Sequence, residues 1–370
     1  MSQMAKPALS ATKTPEAETE ATGGLPGASC PLPLAHHDHI VLGHGSGGKL
    51  SAELMERVFL PAFHNEFLDK LDDQAELQVG NARLAFTTDS FVVTPIFFPG
   101  GDIGRLAING TVNDLAMSGA RPLYLAAAFI LEEGLSTEDL RRIVQSMSDA
   151  ARDAGVQLVT GDTKVVNKGK GDKVFISTTG IGVVERPVNM SADRARPGDK
   201  IILSGYIGDH GMAILSQREN LEFEGAIESD CAALHKLVGD MLDVCVDIRC
   251  MRDPTRGGVA TVLNEIAGRS KVGMLLHETD IPIHEIVRGA CELLGLDPLY
   301  VANEGKLIAI VPPESADAIV QKMHQNPLGQ DARVIGEVTA DGPGMVLMQT
   351  EIGGIRVVDT LFGEQLPRIC

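Results

Sequence analysis

The chain has 370 residues, a length typical of two domains, and 44% of them are hydrophobic, which is enough for sizeable cores. Its net charge of −18 argues against nucleic-acid binding and against anionic membrane surfaces, because both require a basic face. No apolar run approaches the length of a membrane span, and no export signal is recognisable at the N-terminus. These features predict a cytoplasmic globular protein that binds neither nucleic acid nor membranes.

Six scattered cysteines do not form the spacing pattern of a disulfide framework, which agrees with reduced thiols in the cytoplasm. They are Cys30, Cys231, Cys245, Cys250, Cys291 and Cys370. The pair in "CVDIRC" has no matching second pair, so a zinc site is not predicted there. The last residue, Cys370, is either incidental or a reactive thiol on a mobile arm.

Residues 1–37 are rich in Ala, Thr, Pro, Glu and Gly without a hydrophobic period, and predict a disordered leader. The following "HHDH" has metal-binding composition, but adjacent residues converge poorly on one ion, which favours a solvated segment. "ELQV" and "ARLAFTTDSFVV" predict strands joined by a turn at Gly80 and Asn81. "DIGRLAINGTVNDLAMSG" has helical spacing, weakened by a central Gly-Thr pair.

The next helix, "STEDLRRIVQSMSDAARDAG", has Ser136 as its N-cap, acids in its first turn and Gly155 at its end. Strands "VQLVTGDTKVV" and "KVFISTTGIGVVE" follow. The polar stretch from 186 to 200 carries Pro187 and Pro197 and predicts a domain boundary.

The second half opens with the strand "KIILSG" and then mixes both element types. Helices are expected near 210–218, 230–245, 258–268, 284–294 and 315–325, and strands near 272–277, 307–312, 332–337 and 345–349. The pattern favours a mixed α/β and α+β architecture of two domains. The expected division is a leader at 1–37, domains at 38–190 and 191–350, and a flexible tail at 351–370.

The glycine-rich stretch "GHGSGGKLS" satisfies the spacing of a dinucleotide-binding loop and nearly that of a P-loop. Leu50, however, stands where a P-loop requires Ser or Thr, and both motifs need a firm preceding strand. A loop that contacts nucleotide phosphates in another fold is the better interpretation, with a simple tight turn as the alternative.

Four acids lie in otherwise apolar or glycine-rich sequence: Asp89, Asp114, Asp162 and Asp253. Each alone is usually a cap or turn former, but together they predict a magnesium site that serves a nucleotide. "DPTRGG" also begins a helix, where free backbone N–H groups favour anions. Lys164 and Glu304 are candidates for a proton-transfer pair, although surface charge explains either one alone.

The ordered segments "HGSGG", "FTTDSFVV", "NGTVNDLAMSGA", "GDTKVV", "RDPTRGGVA", "NEGK" and "PRIC" resemble the HypE family of hydrogenase maturation proteins. That family belongs to the superfamily of aminoimidazole ribonucleotide synthetase and selenophosphate synthetase. The resemblance runs from about residue 38 to the C-terminus. It implies a PurM-like architecture, in which an N-terminal sheet domain dimerises, an α+β domain follows, and ATP binds between them.

The resemblance also implies a function for the terminal thiol. In the family it receives a carbamoyl group from the carbamoyltransferase HypF. ATP with Mg²⁺ then drives dehydration to a thiocyanate, whose cyanide passes to iron on the HypC–HypD complex for nickel–iron hydrogenases. The predicted catalytic residues are Cys370, Glu304 and Lys164. The predicted nucleotide-binding residues are Gly45, Gly47, Gly48, Asp89, Asn113, Asp114, Asp162, Arg256, Gly257 and Gly258, and the predicted metal ligands are Asp89, Asp114, Asp162 and Asp253.

The tail sequence suits such an arm, since Gly363 permits a bend, Pro367 stiffens the end and Arg368 carries a steering charge. The terminal carboxylate is expected to raise the pKa of the Cys370 thiol. Two alternatives stay open. One is a synthetase or kinase of the same superfamily acting on a small molecule, although the glycine loop lacks the cysteine of selenophosphate synthetases. The other is a non-catalytic scaffold.

Overall fold

The computed structural model describes residues 39–221, 223, 225–361, 363, 366 and 369–370. The predicted leader, most of "HHDH", Cys30, Pro367 and Arg368 lie outside these residues. Within the described part of the chain, no helix combines the length and the apolar character needed to cross a membrane.

The first half forms a five-stranded sheet, a two-stranded ribbon and the helices that flank them. Its helices are α1 (Lys49–Leu54), α2 (Leu60–Phe63), α3 (Ile103–Met117) and α4 (Thr137–Ala154), with a π-helical segment at Met55–Phe59 between the first two. Its strands are β1 (Ala75–Val79), β2 (Ala82–Phe91), β3 (Phe97–Phe98), β4 (Gly101–Asp102), β5 (Arg121–Glu132), β6 (Gln157–Val166) and β7 (Val174–Val183).

The sheet has the order β1-β2-β7-β5-β6, and only the β5–β6 pair is parallel. Helix α3 packs against β2 and β7 and against α4, so one face of the sheet is covered. The opposite face carries apolar side chains that are exposed in the single chain. These include Phe86, Tyr124, Ile130 and Ile181. The edge strand β6 is exposed along nearly its whole length.

Local signals explain why these elements begin and end where they do. Gly80 has φ +59°, and the predicted turn joins β1 to β2 in antiparallel register. Ser136 accepts hydrogen bonds from the first-turn N–H groups of α4, and Gly155 ends that helix in the left-handed region. Asp102 caps α3 in the same manner as Ser136 caps α4. The predicted hairpin and both predicted helices are confirmed.

In the part of the second half that the structure describes, the chain forms a seven-stranded sheet with five α-helices. The helices are α5 (Asp209–Glu219), α6 (His235–Val244), α7 (Gly258–Ser270), α8 (Glu285–Leu294) and α9 (Pro313–Met323). The strands are β8 (Lys200–Leu203), β9 (Cys250–Arg252), β10 (Gly273–His277), β11 (Ile308–Val311), β12 (Arg333–Thr339), β13 (Val346–Gln349) and β14 (Ile355–Val357), in the sheet order β14-β13-β10-β12-β8-β11-β9.

Helix α6 joins the two halves because it packs against α9 of the second half and against α3 of the first. A continuous apolar core therefore runs from the first sheet to one side of the second. Helix α7 contributes to a separate core that includes residues of β8, β10 and β12. The active-site candidates lie where the first half meets the loops of the second.

Two local predictions differ from the structure, and the doubt about the two glycine-loop motifs is supported. The helix expected near 230–245 begins only at His235, because the preceding residues form a loop. A 3₁₀ turn at Leu42–Gly45, not a strand, precedes the glycine loop, so neither the dinucleotide motif nor the P-loop has its required setting. Residues Ile355–Val357 of the expected tail form β14, and the chain leaves the sheet at Val358.

Candidate active site

A buried acidic cluster forms where the two halves meet. Asp89 lies on β2, Asp114 on α3 and Asp253 immediately after β9. Burial raises the pKa of Asp114 well above its ordinary value, and Asp253 and Asp89 raise it further by repulsion. Burial is also the main reason that the pKa of Asp89 is raised and that of Asp253 rises to about 6. Three of the four predicted metal ligands therefore influence one another.

Glu304 belongs to the same cluster. Its side chain is buried, and one carboxyl oxygen has no hydrogen-bond partner among the described residues. Burial raises its pKa well above the ordinary value, with repulsion from Asp253, Asp89 and Asp230 added, while Arg256 opposes the shift. A carboxylate whose pKa is raised in this way is a stronger base than an exposed glutamate.

Backbone hydrogen bonds fix the position of Glu304. Its N–H donates to Asp230 Oδ1 at 3.0 Å, and its carbonyl oxygen accepts from the Ala232 N–H at 3.3 Å. Asn113, a predicted nucleotide ligand, uses its amide to bond the carbonyl of Ala232 at 3.1 Å and the N–H of Leu234 at 2.8 Å. In this structure, Asn113 therefore supports the loop beside Glu304.

The terminal thiol reaches this cluster. A terminal carboxylate oxygen of Cys370 accepts from the Val92 N–H at 3.0 Å, just beyond the end of β2. Burial raises the pKa of the Cys370 thiol well above its ordinary value, Glu304 raises it further, and Arg256 opposes them. The raised pKa expected from the sequence is confirmed, but burial and Glu304 are its leading causes.

A cavity of about 220 Å³ opens beside the thiol. Its wall includes Gly45, Ser46, Ser90, Arg256, Gly257 and Cys370. Arg256 contributes the positive charge of this wall, and its Nη1 donates to the Gly45 carbonyl at 3.0 Å. Its guanidinium has a raised pKa, first because of Cys370.

The glycine loop lies under the start of the tail. A β-carbon on Gly48 would stand 2.2 Å from the Leu361 carbonyl oxygen, and this oxygen accepts from the Lys49 N–H at 2.8 Å. The Gly47 N–H donates to Ser51 Oγ at 2.9 Å. Gly48 is thus required for close approach of the tail, a role that the motif alone did not suggest.

The "RGG" segment forms the beginning of α7. Gly257 and Gly258 have φ values of +77° and +62°, which favour glycine. A β-carbon on Gly258 would also stand 2.5 Å from the Leu299 carbonyl oxygen. The two glycines turn the chain tightly from Asp253 into the helix and so place Arg256 against the cavity.

Asp162 and Lys164 are not brought to this cluster within one chain. They lie on the exposed edge strand β6 and form an ion pair of 2.8 Å with each other. This pairing lowers the pKa of Asp162. In the sheet register, Asp162 on β6 pairs with Ala128 on β5, which lies two strands away from Ser90 on β2. The three strand spacings between Asp162 and Ser90, the neighbour of Asp89, amount to about 14 Å.

Sequence reasoning missed Asp73, which lies two residues before β1. Its Oδ1 pairs with Arg252 at 2.7 Å, whereas its buried Oδ2 has no hydrogen-bond partner among the described residues. Its pKa is raised well above the ordinary value, mainly by burial. The Thr87 hydroxyl lies 2.9 Å from the Asp73 carbonyl oxygen and 2.9 Å from Asp114 Oδ2, and its single proton can be donated to either. The available signal was the acidic pair in "LDDQAEL", which by itself is typical of a solvated turn.

The acids fit a magnesium-bound nucleotide better than a free metal ion. Among the described residues, no three His, Cys, Asp or Glu side chains are placed to hold a metal together. Mg²⁺ commonly uses only one or two carboxylates and completes its shell with phosphate oxygens and water. The unpartnered oxygens of Asp73 and Glu304, and the repulsion between Asp114 and Asp253, are what a cation would relieve.

Comparison with known families identifies two matched domains. The AIR synthase related protein N-terminal domain matches residues 71–184, and the corresponding C-terminal domain matches residues 196–348. These ranges contain the five-stranded and seven-stranded sheets, apart from the last strand, β14. The mixed two-domain architecture expected from the sequence is confirmed.

Individual proteins agree over nearly the whole chain. Carbamoyl dehydratase HypE of Cupriavidus necator is 59% identical over 332 residues, which cover 90% of this chain and 95% of that protein. The crystal structure of a HypE–HypF complex matches with a TM-score of 0.80 at 48% identity, over 83% of this chain and 99% of that one. HypE crystallised with ATP matches with a TM-score of 0.76 at 52% identity, over 90% and 100%. The chain therefore belongs to the HypE family of the AIR synthase related proteins.

Proposed function

We propose that this protein is an ATP-dependent carbamoyl dehydratase that carries its own substrate on Cys370 during maturation of nickel–iron hydrogenases. The observation that carries the proposal is the position of the terminal thiol. It lies beside Glu304 and Arg256, within a cluster of acids whose pKa values are raised. The names of the relatives at 59% identity support the same reaction.

The thiol is a carrier. Its raised pKa keeps it protonated in the docked position, so carbamoyl transfer requires the tail to leave the site. After the tail returns, the S-carboxamide replaces the thiol proton beside Glu304. Phosphorylation of the carboxamide oxygen would release one N–H proton and leave a single N–H. Glu304 would then accept this second proton as the C–O bond breaks, the oxygen would leave as inorganic phosphate, and a thiocyanate would remain on the sulfur.

ATP supplies the phosphoryl group that makes the amide oxygen a leaving group, and Mg²⁺ neutralises its phosphates. Asp73, Asp89, Asp114 and Asp253 would hold the metal–phosphate unit, and Arg256 would face the transferred group. With the tail docked, the cavity of about 220 Å³ is smaller than usual small-molecule pockets, which start at about 300 Å³. It suits a phosphoryl group rather than a complete nucleotide. A relative crystallised with ATP supports nucleotide binding.

The working form is a homodimer that pairs through the exposed face of the five-stranded sheet. Exposed Phe86, Tyr124 and Ile181 give this face an apolar surface of the kind that marks protein interfaces. Since β6 borders that face, the dimer would bring Asp162 and Lys164 of one subunit to the acidic cluster of the other. Lys164 is then the cation that assists Glu304 across the interface.

The partners are the carbamoyltransferase HypF, with which a relative at 48% identity has been crystallised, and the HypC–HypD complex as cyanide acceptor. The compartment is the cytoplasm. We propose that the two domains span residues 38–190 and 191–350, and that the carrier segment lies within residues 351–370.

The test is the intact mass of the protein after incubation with HypF, carbamoyl phosphate and Mg²⁺–ATP. The expected result is a carbamoyl adduct that then loses the mass of one water, with no adduct on Cys370→Ala. An adduct that never loses water would refute the dehydratase assignment. Absence of any adduct with an active partner would make the thiol incidental.

A further inference from the structure

A buried histidine holds the end of the tail. Ile369 is only 4% exposed, and its carbonyl oxygen lies 2.8 Å from His210 Nε2. His210 is fully buried near the beginning of α5 and meets the Phe98 ring edge-on, with 5.6 Å between ring centroids. Leu366 also packs close to this turn, against Gly211. The end of the tail therefore lies in a pocket that is formed by buried side chains.

Neighbouring groups decide which ring nitrogen of His210 carries the proton. A carbonyl oxygen only accepts, so the bond to Ile369 requires the proton on Nε2. Nδ1 then accepts from the Ser229 hydroxyl at 2.8 Å, and Ser229 Oγ accepts in turn from the Cys231 N–H at 3.1 Å. This relay of donors aims the Nε2–H at the tail.

The hydrogen-bond relay through Ser229 lies in the same loop that fixes the backbone of Glu304, the candidate base. Asp230, next to Ser229, accepts from the Glu304 N–H, and Ala232 donates to the Glu304 carbonyl. Asp230 also pairs with Lys306 at 3.4 Å. One short loop thus holds both the docked tail and the backbone of Glu304.

We propose that His210 is a positioning residue that docks the C-terminal tail and thereby delivers the Cys370 substrate to Glu304. Its bond to Ile369 exists only in the docked state, because the carbonyl of an undocked tail is bonded by water. Loss of the donor therefore shifts the equilibrium toward the undocked state without removing a catalytic group. The catalytic part of this inference rests on the proposed function, whereas the docking part does not.

The docking part is tested by alkylation of Cys370 in the protein alone, with iodoacetamide. The label is quantified on "QLPRIC", the peptide released by cleavage after Glu364. Because the loss strands a buried carbonyl acceptor, His210→Phe should alkylate about five- to fiftyfold faster than wild type. His210→Gln, which keeps an amide donor, should restore most of the slow rate.

The matched control is His324→Phe, since His324 Nε2 also bonds a backbone carbonyl, that of Ala332 at 2.7 Å, at the end of α9. It should leave the Cys370 rate unchanged. Equal rates in His210→Phe and wild type would overturn the inference. If His210→Phe does not fold, Ser229→Ala serves instead, because it frees the proton to move to Nδ1. An unchanged rate in that variant would overturn the inference equally.

The catalytic part is tested by separating the two half-reactions. In His210→Phe, carbamoylation by HypF should be as fast as in wild type or faster. Dehydration of the pre-carbamoylated protein should be slower than in wild type, because a smaller fraction of its tail is docked, and the two factors multiplied together should equal the change in the docking equilibrium. Fast alkylation with an undiminished dehydration rate would refute positioning. If wild type never dehydrates its adduct, the proposed function fails while the alkylation result still decides the docking role.

Discussion

Asp253 allows a quantitative prediction, because its carboxylate is buried among other acids and this environment raises its pKa to about 6. The perturbation is Asp253→Asn, which keeps the shape of the side chain and removes its charge. We expect the ligand-free variant to be more stable than wild type at neutral pH. The same change should weaken binding of Mg²⁺–ATP.

The magnitude follows from the two pKa values. The pKa of Asp253 rises from 3.8 to about 6 in the folded state. Below pH 3.8 both folded and unfolded chains are protonated, so this group contributes no difference. Between pH 3.8 and about 6 the unfolded chain ionises first and the folded state is progressively destabilised. Above that range the penalty is complete, and a shift of about two units corresponds to at most about 3 kcal/mol.

The assay is urea unfolding of wild type, Asp253→Asn and the control Asp317→Asn, an exposed acid on α9, at several values between pH 4.5 and pH 8. The advantage of Asp253→Asn should grow with pH up to about 6 and then level off. Added Mg²⁺–ATP should stabilise wild type more, by about 1.4 kcal/mol for each tenfold difference in affinity. An Asp253→Asn variant that is less stable than wild type at pH 7.5, or an advantage independent of pH, would refute the reasoning.

Three further predictions concern the base, the dimer and the tail. In Glu304→Gln the carbamoylated protein should accumulate, with dehydration about 10²–10⁴-fold slower in single-turnover mass measurements; wild-type rates would remove this carboxylate from the mechanism. An equal mixture of Lys164→Ala and Glu304→Gln chains, after subunit exchange, should regain about a quarter of wild-type activity, because random pairing restores one composite site in half of the dimers. No recovery would mean that the lysine does not act across the interface. Gly48→Ala should destabilise the protein by about 1–3 kcal/mol and speed alkylation of Cys370, because the Leu361 carbonyl of the tail lies 2.2 Å from the added carbon. The matched control is Gly45→Ala, whose added carbon would meet no described atom within 4 Å. Equal effects in both variants would contradict the packing role of Gly48.

Much of the fold was readable because its signals are local. The turn between β1 and β2, the Ser136 cap and the glycine at the end of α4 each act within a few residues, and the structure has all of them. The stretch from 230 to 234 has a helical pattern but forms a loop. Its bonds run to Asn113 and Glu304, more than seventy positions away in sequence. Such nonlocal bonds leave no periodicity to read.

The site was predictable only in part for the same reason. The residue types of Asp89, Asp114 and Asp253 suggested a set, and the structure brings them together. Nothing in the spacing showed that Asp73 joins them, because a pair of acids before a strand also occurs in solvated turns. Lys164 was grouped with Glu304 by chemistry alone, and the sheet topology places it on the far edge strand.

The energetics of the docked tail explain how one thiol can serve two enzymes. Burial of Ile369 contributes about 1.5–3 kcal/mol, and the bonds to the Ile369 carbonyl and to the terminal carboxylate each contribute at least about 0.5–1.5 kcal/mol. Ordering of each tail residue costs about 1–2 kcal/mol, which offsets most of this gain over the last few residues. The docked state is then favoured by only a few kcal/mol, so the tail both leaves and returns. In the proposed mechanism Glu304 would serve both states of the cycle, because it adds to the effect of burial in raising the pKa of the docked thiol and would face the carboxamide once the modified tail returns.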